Sequence, residues 1–371
     1  MDSVTTTPET ANTAILEGLD REGLRQRFFK DKSHHLPNGR FTNPWPSFSV
    51  PSMPTLLYNF LFVADNKPVK KSIAEGRVPQ VVPLDEAKIS NPSGVQMSWL
   101  GHASLLVQID GATILCDPVF SERCSPSQWF GPKRYTKPAC QVDDLPHVDV
   151  LIISHNHYDH LDWNTLTQVA KKYPDIRVFS TLGNRPILES IGFKNVTIGD
   201  WWEEFDITLP NNNGQFKFAC TPAQHMTARG VLDRMATLWS SWVIQGPSGR
   251  KFFFSGDTAY SSTYKNEDKA ECPAFKQIGQ VYGPIDLSAI AIGAYGPEIM
   301  FSGMHVNPEQ AVRIHEDIGS KKSIGIHWGT FVLTSEPADE PPQRLKAAME
   351  ARGHLTDEFT VLSIGETVQV D

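Results

Sequence analysis

The sequence has no apolar run of the roughly 18 to 20 residues that a bilayer-crossing helix requires, no CxxC pair, and no surplus of positive charge. Each absence closes off a class of function. The five cysteines (Cys116, Cys124, Cys140, Cys220 and Cys272) are scattered and odd in number, which argues against a disulfide framework and against a thiolate metal site. A reducing compartment fits them better. Lys and Arg number 34 against 42 Asp and Glu, a net charge of −8, whereas a general nucleic-acid binder needs cations to displace phosphate counterions. No nucleic-acid partner is therefore expected. The opening MDSVTTTPETANTAILEGLD has neither a basic nor an apolar stretch and holds Asp2, Glu9, Glu17 and Asp20 before its first base, Arg21, so neither a secretory signal nor a mitochondrial presequence is expected. The reading is an intracellular chain, cytoplasmic or peripherally membrane-associated, neither secreted nor transmembrane.

With 371 residues, 40% of them hydrophobic, the chain can bury a full core. Residues 1–40 read as a flexible polar leader with a short helix around residues 10–29. Residues 41–94 form a second segment. Its start, FTNPWPSFSVPSMP, carries four prolines, too many for a helix or a central strand, and reads as an extended strap. The apolar stretch 54–63 that follows reads either as a helix packed on the core or as a patch that meets a membrane surface. Residues 95–371 read as the main domain. VQMSWLGHASLLVQIDGATILC alternates like two or three strands around a Gly111 turn, and VDVLIIS (148–154) is apolar enough to be a strand buried on both faces. Further strand candidates are RVFSTL, KNVTIGD, QFKFACTP, SSWVIQG, KFFFSGD, LSAIAIG and KSIGIHW. LDWNTLTQVAKKY suits an amphipathic helix, and NPEQAVRIHEDIG a helix capped by Asn307 with Pro308 in its first turn. Two packed sheets flanked by helices follow from this order.

The densest chemistry lies at Ser154-His155-Asn156-His157-Tyr158-Asp159-His160, directly after the buried strand. Three imidazoles and a carboxylate in six residues cannot be core, because each polar atom would need a buried partner. Alternation along an extended loop lets His155 and His157 grip one ion, and the turn into the next helix swings Asp159 and His160 toward a second. Three more donors sit at strand ends: His225 in TPAQH, Asp257 in FSGDT, and His327 in IHWGT. The reading assigns His155, His157 and His225 to one metal and Asp159, His160 and His327 to the other. Asp257 is shared, since a carboxylate has two oxygens and can bridge. Nitrogen and oxygen donors without thiolate suit two Zn²⁺ per chain, and they also suit iron or manganese. Asp117, in CDPVF, reads as an acid that orients a ligand imidazole. His102, in GHAS, reads as a packed structural residue. Lys133 and Arg134 read as lipid-facing cations or a solvated turn, and Trp129 and Phe130 as an acyl-channel lining or core.

HxHxDH followed by a His, the Asp of GDT and a final His resembles the metallo-β-lactamase fold, which implies a four-layer αββα sandwich, here with an N-terminal extension. Together with WLGHAS, SPSQWFGPKR, DWWEE, TPAQH, FFFSGDT, AIGAYGP, HVNPEQAVRIH and IHWGTF, the pattern is similar to the N-acyl-phosphatidylethanolamine-hydrolysing phospholipase D family. The resemblance spans roughly residues 38–371. It implies a zinc-dependent phosphodiesterase that forms N-acylethanolamine and phosphatidic acid through a metal-bridging hydroxide. It further implies a phospholipid substrate, a peripheral membrane surface as partner, and a homodimer. His305 matches a family histidine near the substrate phosphate and is the candidate for stabilising a phosphoryl oxygen or protonating the leaving group. Tyr158 matches a tyrosine that contacts the lipid head. The segment 259–271 and the block after TPAQH depart from the family pattern. Another hydrolase of the same fold, such as a lactonase or a cyclic-nucleotide or other phosphodiesterase, is the alternative.

Overall fold

Period-two alternation divides the first strands between two separate cores. In the computed structural model, which describes residues 19–371 except Met53, 56–57, 59–65, 211–213 and 265–268, they are β1 (Val95–Gly101), β2 (Ser104–Ile109), β3 (Ala112–Cys116) and β4 (Val150–Ile152). Val95, Met97, Trp99, Leu105, Val107, Ile114, Val150 and Ile152 face the main core. Leu100, Leu106, Leu115, Leu151 and Ile153 face a second one, under the helix Trp163–Lys172. Successive side chains of a strand point to opposite faces, so a strand covered on both sides reads as continuously apolar.

The remaining strands are β5 (Arg177–Thr181), β6 (Asn195–Gly199), β7 (Glu204–Thr208), β8 (Gln215–Thr221), β9 (Ser241–Gln245), β10 (Lys251–Phe254), β11 (Leu287–Ala291), β12 (Ser323–Ile326), β13 (Phe359–Thr360) and β14 (Thr367–Val370). They build two seven-stranded sheets, ordered β14-β1-β2-β3-β4-β5-β6 and β13-β12-β11-β10-β9-β8-β7. Each sheet is antiparallel on one side and parallel on the other. A parallel pair needs a crossover, and helices supply it: Trp163–Lys172 between β4 and β5, Ala274–Tyr282 between β10 and β11, Pro308–Asp317 between β11 and β12. Between the sheets the aromatic rings interleave, with Phe179 stacked on Phe218 at 4.7 Å and Trp242 close by. The four-layer α/β sandwich is the architecture expected. The short strands β7, β13 and β14 were not legible in the pattern.

The leader reading needs correction from Leu19 onward. Arg21–Lys30 is a helix capped by Asp20, and it is docked rather than flexible. Phe28 packs against Trp202 with ring centroids 4.9 Å apart, and Arg25 donates to the Trp202 carbonyl. Behind the helix, Lys32 Nζ, His34 Nε2 and His35 Nε2 all reach the Asp200 carboxylate, at 2.7, 2.7 and 2.9 Å. A solvated leader would have no such anchor. Residues 1–18 and most of the apolar stretch 54–63 lie outside the described residues, as does 265–268 within the segment 259–271. Among the described residues no helix is long and apolar enough to cross a membrane.

Burial alone would raise the Asp200 carboxyl, but hydrogen bonds from His34 and Lys32 outweigh it and hold the group well below the ordinary aspartate range. A depressed carboxylate contributes stability above its unfolded pKa of about 4, and that contribution is lost as pH falls below it. Asp200→Asn is expected to cost about 1–3 kcal/mol in urea unfolding near neutral pH and to speed tryptic cleavage at Arg25 and Arg27. Unchanged cleavage and midpoint would show that the anchor carries no load.

Candidate metal centre

The parallel halves of both sheets end at one rim, where side chains just past the last strand residue converge, a common place for sites in open α/β sheets. His155 follows β4, Asp117 follows β3, Asp257 follows β10, His225 follows β8 and His327 follows β12. Backbone geometry there is unusual. His102, Asp117 and His327, none of them glycine, adopt left-handed φ of +52°, +39° and +63°, a conformation whose cost is tolerated mostly where function over-determines it. Gly256 (φ +54°), just before Asp257, lies so close to the 154–160 loop that a Cβ there would meet the Ser154 Cβ at 2.8 Å. Only glycine lets β10 deliver its carboxylate at this depth.

The seven donors named from sequence come together in two groups. In the first, His155 Nε2 lies 2.9 Å from His157 Nδ1, and His225 Nε2 lies 3.2 Å from the same nitrogen. In the second, His160 Nε2 and His327 Nε2 are 3.2 Å apart, with Asp159 Oδ2 at 3.7 and 3.5 Å from them. Asp257 stands between. Its Oδ2 is 3.7 Å from His155, 3.6 Å from His225 and 3.1 Å from His160, while its Oδ1 is 3.0 Å from His327. Ring nitrogens facing one another at such distances need either a shared proton or a cation among them. Two donors held tetrahedrally about 2.05 Å from one zinc would stand about 3.3 Å apart, close to what is seen. Asp257 Oδ1 is buried and makes no hydrogen bond, a cost a native fold rarely leaves uncompensated. The residues present fit a pair of divalent ions.

The outward nitrogens of these rings are held too. Asp117, fully buried, accepts from His160 Nδ1 at 2.7 Å and from the Ser154 amide at 2.8 Å. Ser154 Oγ meets His155 Nδ1 at 3.0 Å, and His225 Nδ1 donates to the Met304 carbonyl at 2.8 Å. Partners of this kind fix tautomer and ring orientation. Sequence reasoning found Asp117. It placed His102 as a packed residue, and His102 is indeed buried, yet its Nε2 also contacts Asp159 Oδ2 at 2.9 Å and its ring lies 4.0 Å from that of His327. The Met304 carbonyl left no signal, because any residue supplies one.

His305 sits beside the centre, its ring 5.2 Å from His225 and 5.3 Å from His327, with Nδ1 buried and without a partner. Tyr158 turns away from the donors. Its hydroxyl donates to the Arg229 carbonyl at 3.0 Å, and the Arg229 guanidinium covers its ring at 3.9 Å. Together they line a cleft with Ser125, Pro126 and Trp163. Trp129 and Phe130 are 85% and 76% exposed, so they are not core. Arg134 is buried and donates to the Val119 and Ser121 carbonyls, which removes it from both roles considered for it.

A family profile described as a beta-lactamase superfamily domain matches residues 112–328. N-acyl-phosphatidylethanolamine-hydrolyzing phospholipase D 1 of Caenorhabditis elegans is 36% identical over 309 residues, covering 81% of this chain and 83% of the worm protein. This chain belongs to the N-acyl-phosphatidylethanolamine-hydrolysing phospholipase D family. The mitochondrial member from Saccharomyces cerevisiae is 30% identical over 284 residues, 76% of this chain and 57% of the yeast protein. Among solved structures, Igni18, a metallo hydrolase from Ignicoccus hospitalis, shares the fold at a TM-score of 0.51 and 20% identity, covering 74% of this chain and 98% of its own. The protein is accordingly a metal-dependent hydrolase of the metallo-β-lactamase fold.

Burial pushes the His155 and His225 imidazoles far down, so they are neutral and ready to ligate. For His160 and His327 burial also acts downward, but Asp257 and Asp159 outweigh it. His160 is pushed well above the ordinary histidine range, and His327 up to about 9. Without metal these carboxylates therefore favour the protonated rings, whereas a metal ligand must be neutral. Titrating a divalent metal into the stripped protein at pH 7.5 should release protons, read as calorimetric heats that vary with the ionisation enthalpy of the buffer. Heats independent of buffer would contradict this electrostatic picture.

Proposed function

We propose that the protein is a zinc-dependent phosphodiesterase of the phospholipase D type, hydrolysing N-acyl-phosphatidylethanolamine to N-acylethanolamine and phosphatidic acid. The observation that carries the reading is the placement of Asp257 between two donor groups that together contain His155, His157, His225, Asp159, His160 and His327. In this reading those seven residues hold two zinc ions. When bound, the ions supply charge neutralisation for the phosphate and activation of water at neutral pH.

The chain's own residues set up the rest. Asp117 and Ser154 keep His160 and His155 turned inward. His305 presents an unpartnered Nδ1 next to both donor groups. Burial holds His305 down to about 4, so near pH 7 it is a neutral imidazole. A group with that pKa is a poor proton donor at pH 7 but a competent hydrogen-bond donor. The role that follows is a hydrogen bond to a phosphoryl oxygen as charge builds on it, rather than protonation of the departing ethanolamine oxygen. His155, His160, His225, Asp257 and His327 are all buried, while His157, Asp159 and His305 are half-buried, so such a bond is stronger than it would be in open solvent.

The substrate is a membrane lipid, and one face supports a meeting with a bilayer. Trp129 and Phe130 on one loop, and Val231 and Leu232 (96% and 86% exposed) on another, project beside the cleft lined by Tyr158 and Arg229. The first of these loops exposes Lys133 and Lys137. N-acylation removes the ammonium charge of ethanolamine and leaves the phosphate, so a surface containing this substrate is anionic and complementary to them. Tyr158, next in sequence to His157, then stands where a lipid head would enter.

Purified protein loaded with zinc should release phosphatidic acid from N-acyl-phosphatidylethanolamine vesicles, and a chelator should abolish it. His305→Ala should lower kcat about 10²–10³-fold at unchanged metal content. No phosphatidic acid from fully metallated protein, or lactone opening in its place, would sink the reading. Replacing Trp129 and Phe130 together by Ser should weaken vesicle co-sedimentation about tenfold or more without loss of metal. Equal sedimentation would move the membrane face elsewhere.

A further inference from the structure

The proline-rich strap does more than cover the fold. Asn43 is buried, and its side-chain amide pairs with the backbone of His225 in both directions: Nδ2 donates to the His225 carbonyl at 2.7 Å, and Oδ1 accepts from the His225 amide at 3.1 Å. Four residues on, Ser47 Oγ donates to Gln224 Oε1, and Gln224 Nε2 donates back to the Ser47 carbonyl at 3.3 Å. Two strap positions four residues apart thus hold two adjacent residues of the loop that carries His225. The same strap reaches the other loops of the site. The Ser262 amide and hydroxyl donate to the Ser47 and Ser49 carbonyls, five residues past Asp257. Gly303, two residues before His305, packs so tightly on the strap that a Cβ there would meet the Ser49 carbonyl at 2.3 Å.

We infer that Asn43 is a positioning residue for the metal centre, and that the strap 41–50 is a structural part of it although it precedes the superfamily domain at 112–328. The His225 loop follows β8 without a helix to brace it, since the chain runs on from Thr221 to β9 without regular structure. Gln224 is bridged to Ala259, and a side-chain amide that matches a peptide's donor and acceptor braces His225 itself. Proline supports this role chemically. Pro44 and Pro46 flank Trp45, which stacks on Trp201 at 5.3 Å, and a chain with fixed φ loses less entropy when it is ordered. The inference rests on the two-metal reading above and adds an asymmetry to it. Among the described residues, the donor whose own backbone the strap grips is His225, of the group with His155 and His157.

The test is zinc titration of the metal-free full-length chain against a competing chelator, with apo melting temperature measured alongside. Wild type should bind two equivalents. Fewer would overturn the two-metal reading, and this inference with it. Asn43→Ala should weaken one equivalent about 10–100-fold, the usual cost of losing a partner that orients a ligand, and leave the other within about threefold. Two equivalents at wild-type affinity, or both weakened together with a lower apo melting temperature, would overturn the positioning role. Should Asn43→Ala fail to fold, Asn43→Asp keeps the acceptor and loses the donor, and Ser47→Ala removes only the grip on Gln224. Selective weakening of one ion by either supports the inference, and an unselective effect overturns it.

Discussion

One carboxylate organises this protein. Asp257 is almost completely buried and lies 3.0 to 3.7 Å from four imidazole nitrogens contributed by three different loops. A buried charge at that depth is tolerable only among partners of opposite sign or with a metal. Here the imidazoles and Asp257 hold each other in unusual states: His160 and His327 rise, and Asp257 falls against the pull of burial. The rest of the fold reads as a frame for that contact. The two sheets bring the ends of β4, β10 and β12, from their parallel halves, and of β8, from an antiparallel half, to a common point. A glycine at 256 lets the carboxylate approach, and the interleaved aromatic rings between the sheets keep the rim in register.

How much of this could be read from the residues differs by scale. The 155–160 cluster was legible because polar density after an apolar run has no bland explanation. His225, Asp257 and His327 were legible only jointly, since each alone is an ordinary loop or turn residue and becomes a donor by standing at a strand end beside the others. Asp117 was found through the same strand-end logic. His102 shows the limit of such logic: a histidine can be packed and also touch Asp159, and sequence offers those as alternatives. The strands β7, β13 and β14 escaped because β7 alternates charged with apolar residues at an edge (Glu204-Phe205-Asp206-Ile207) and β13 has only two residues. Their pairing is decided by neighbours that lie far along the chain.

The N-terminal extension was misread for a related reason. Composition makes residues 19–40 look like a solvated leader, and their helix has little amphipathic character, with a single buried residue, Phe28. What orders it is a polar anchor. Asp200 gathers Lys32, His34 and His35, and the Asp200-Trp201-Trp202 turn presents two indoles to Phe28, His34 and Trp45. Periodicity detects apolar stripes and is blind to an anchor of this sort, whose two halves lie more than 160 residues apart in sequence.

The extension and the centre are joined through the same turn. Trp201 lies between His34 and Trp45, stacked on both, and Trp45 belongs to the strap that holds His225 through Asn43. The path from leader to donor is thus a row of packed contacts: Asp200 to His34, His34 to Trp201, Trp201 to the half-buried Trp45, and Asn43 to the His225 backbone. Close-packed interiors transmit displacement because they have little free volume to absorb it. A hydrolase with exposed donors could keep its N-terminal segment as an independent tail. In this chain the segment is built into the wall of the site, so the geometry of His225 depends on residues that precede the hydrolase domain.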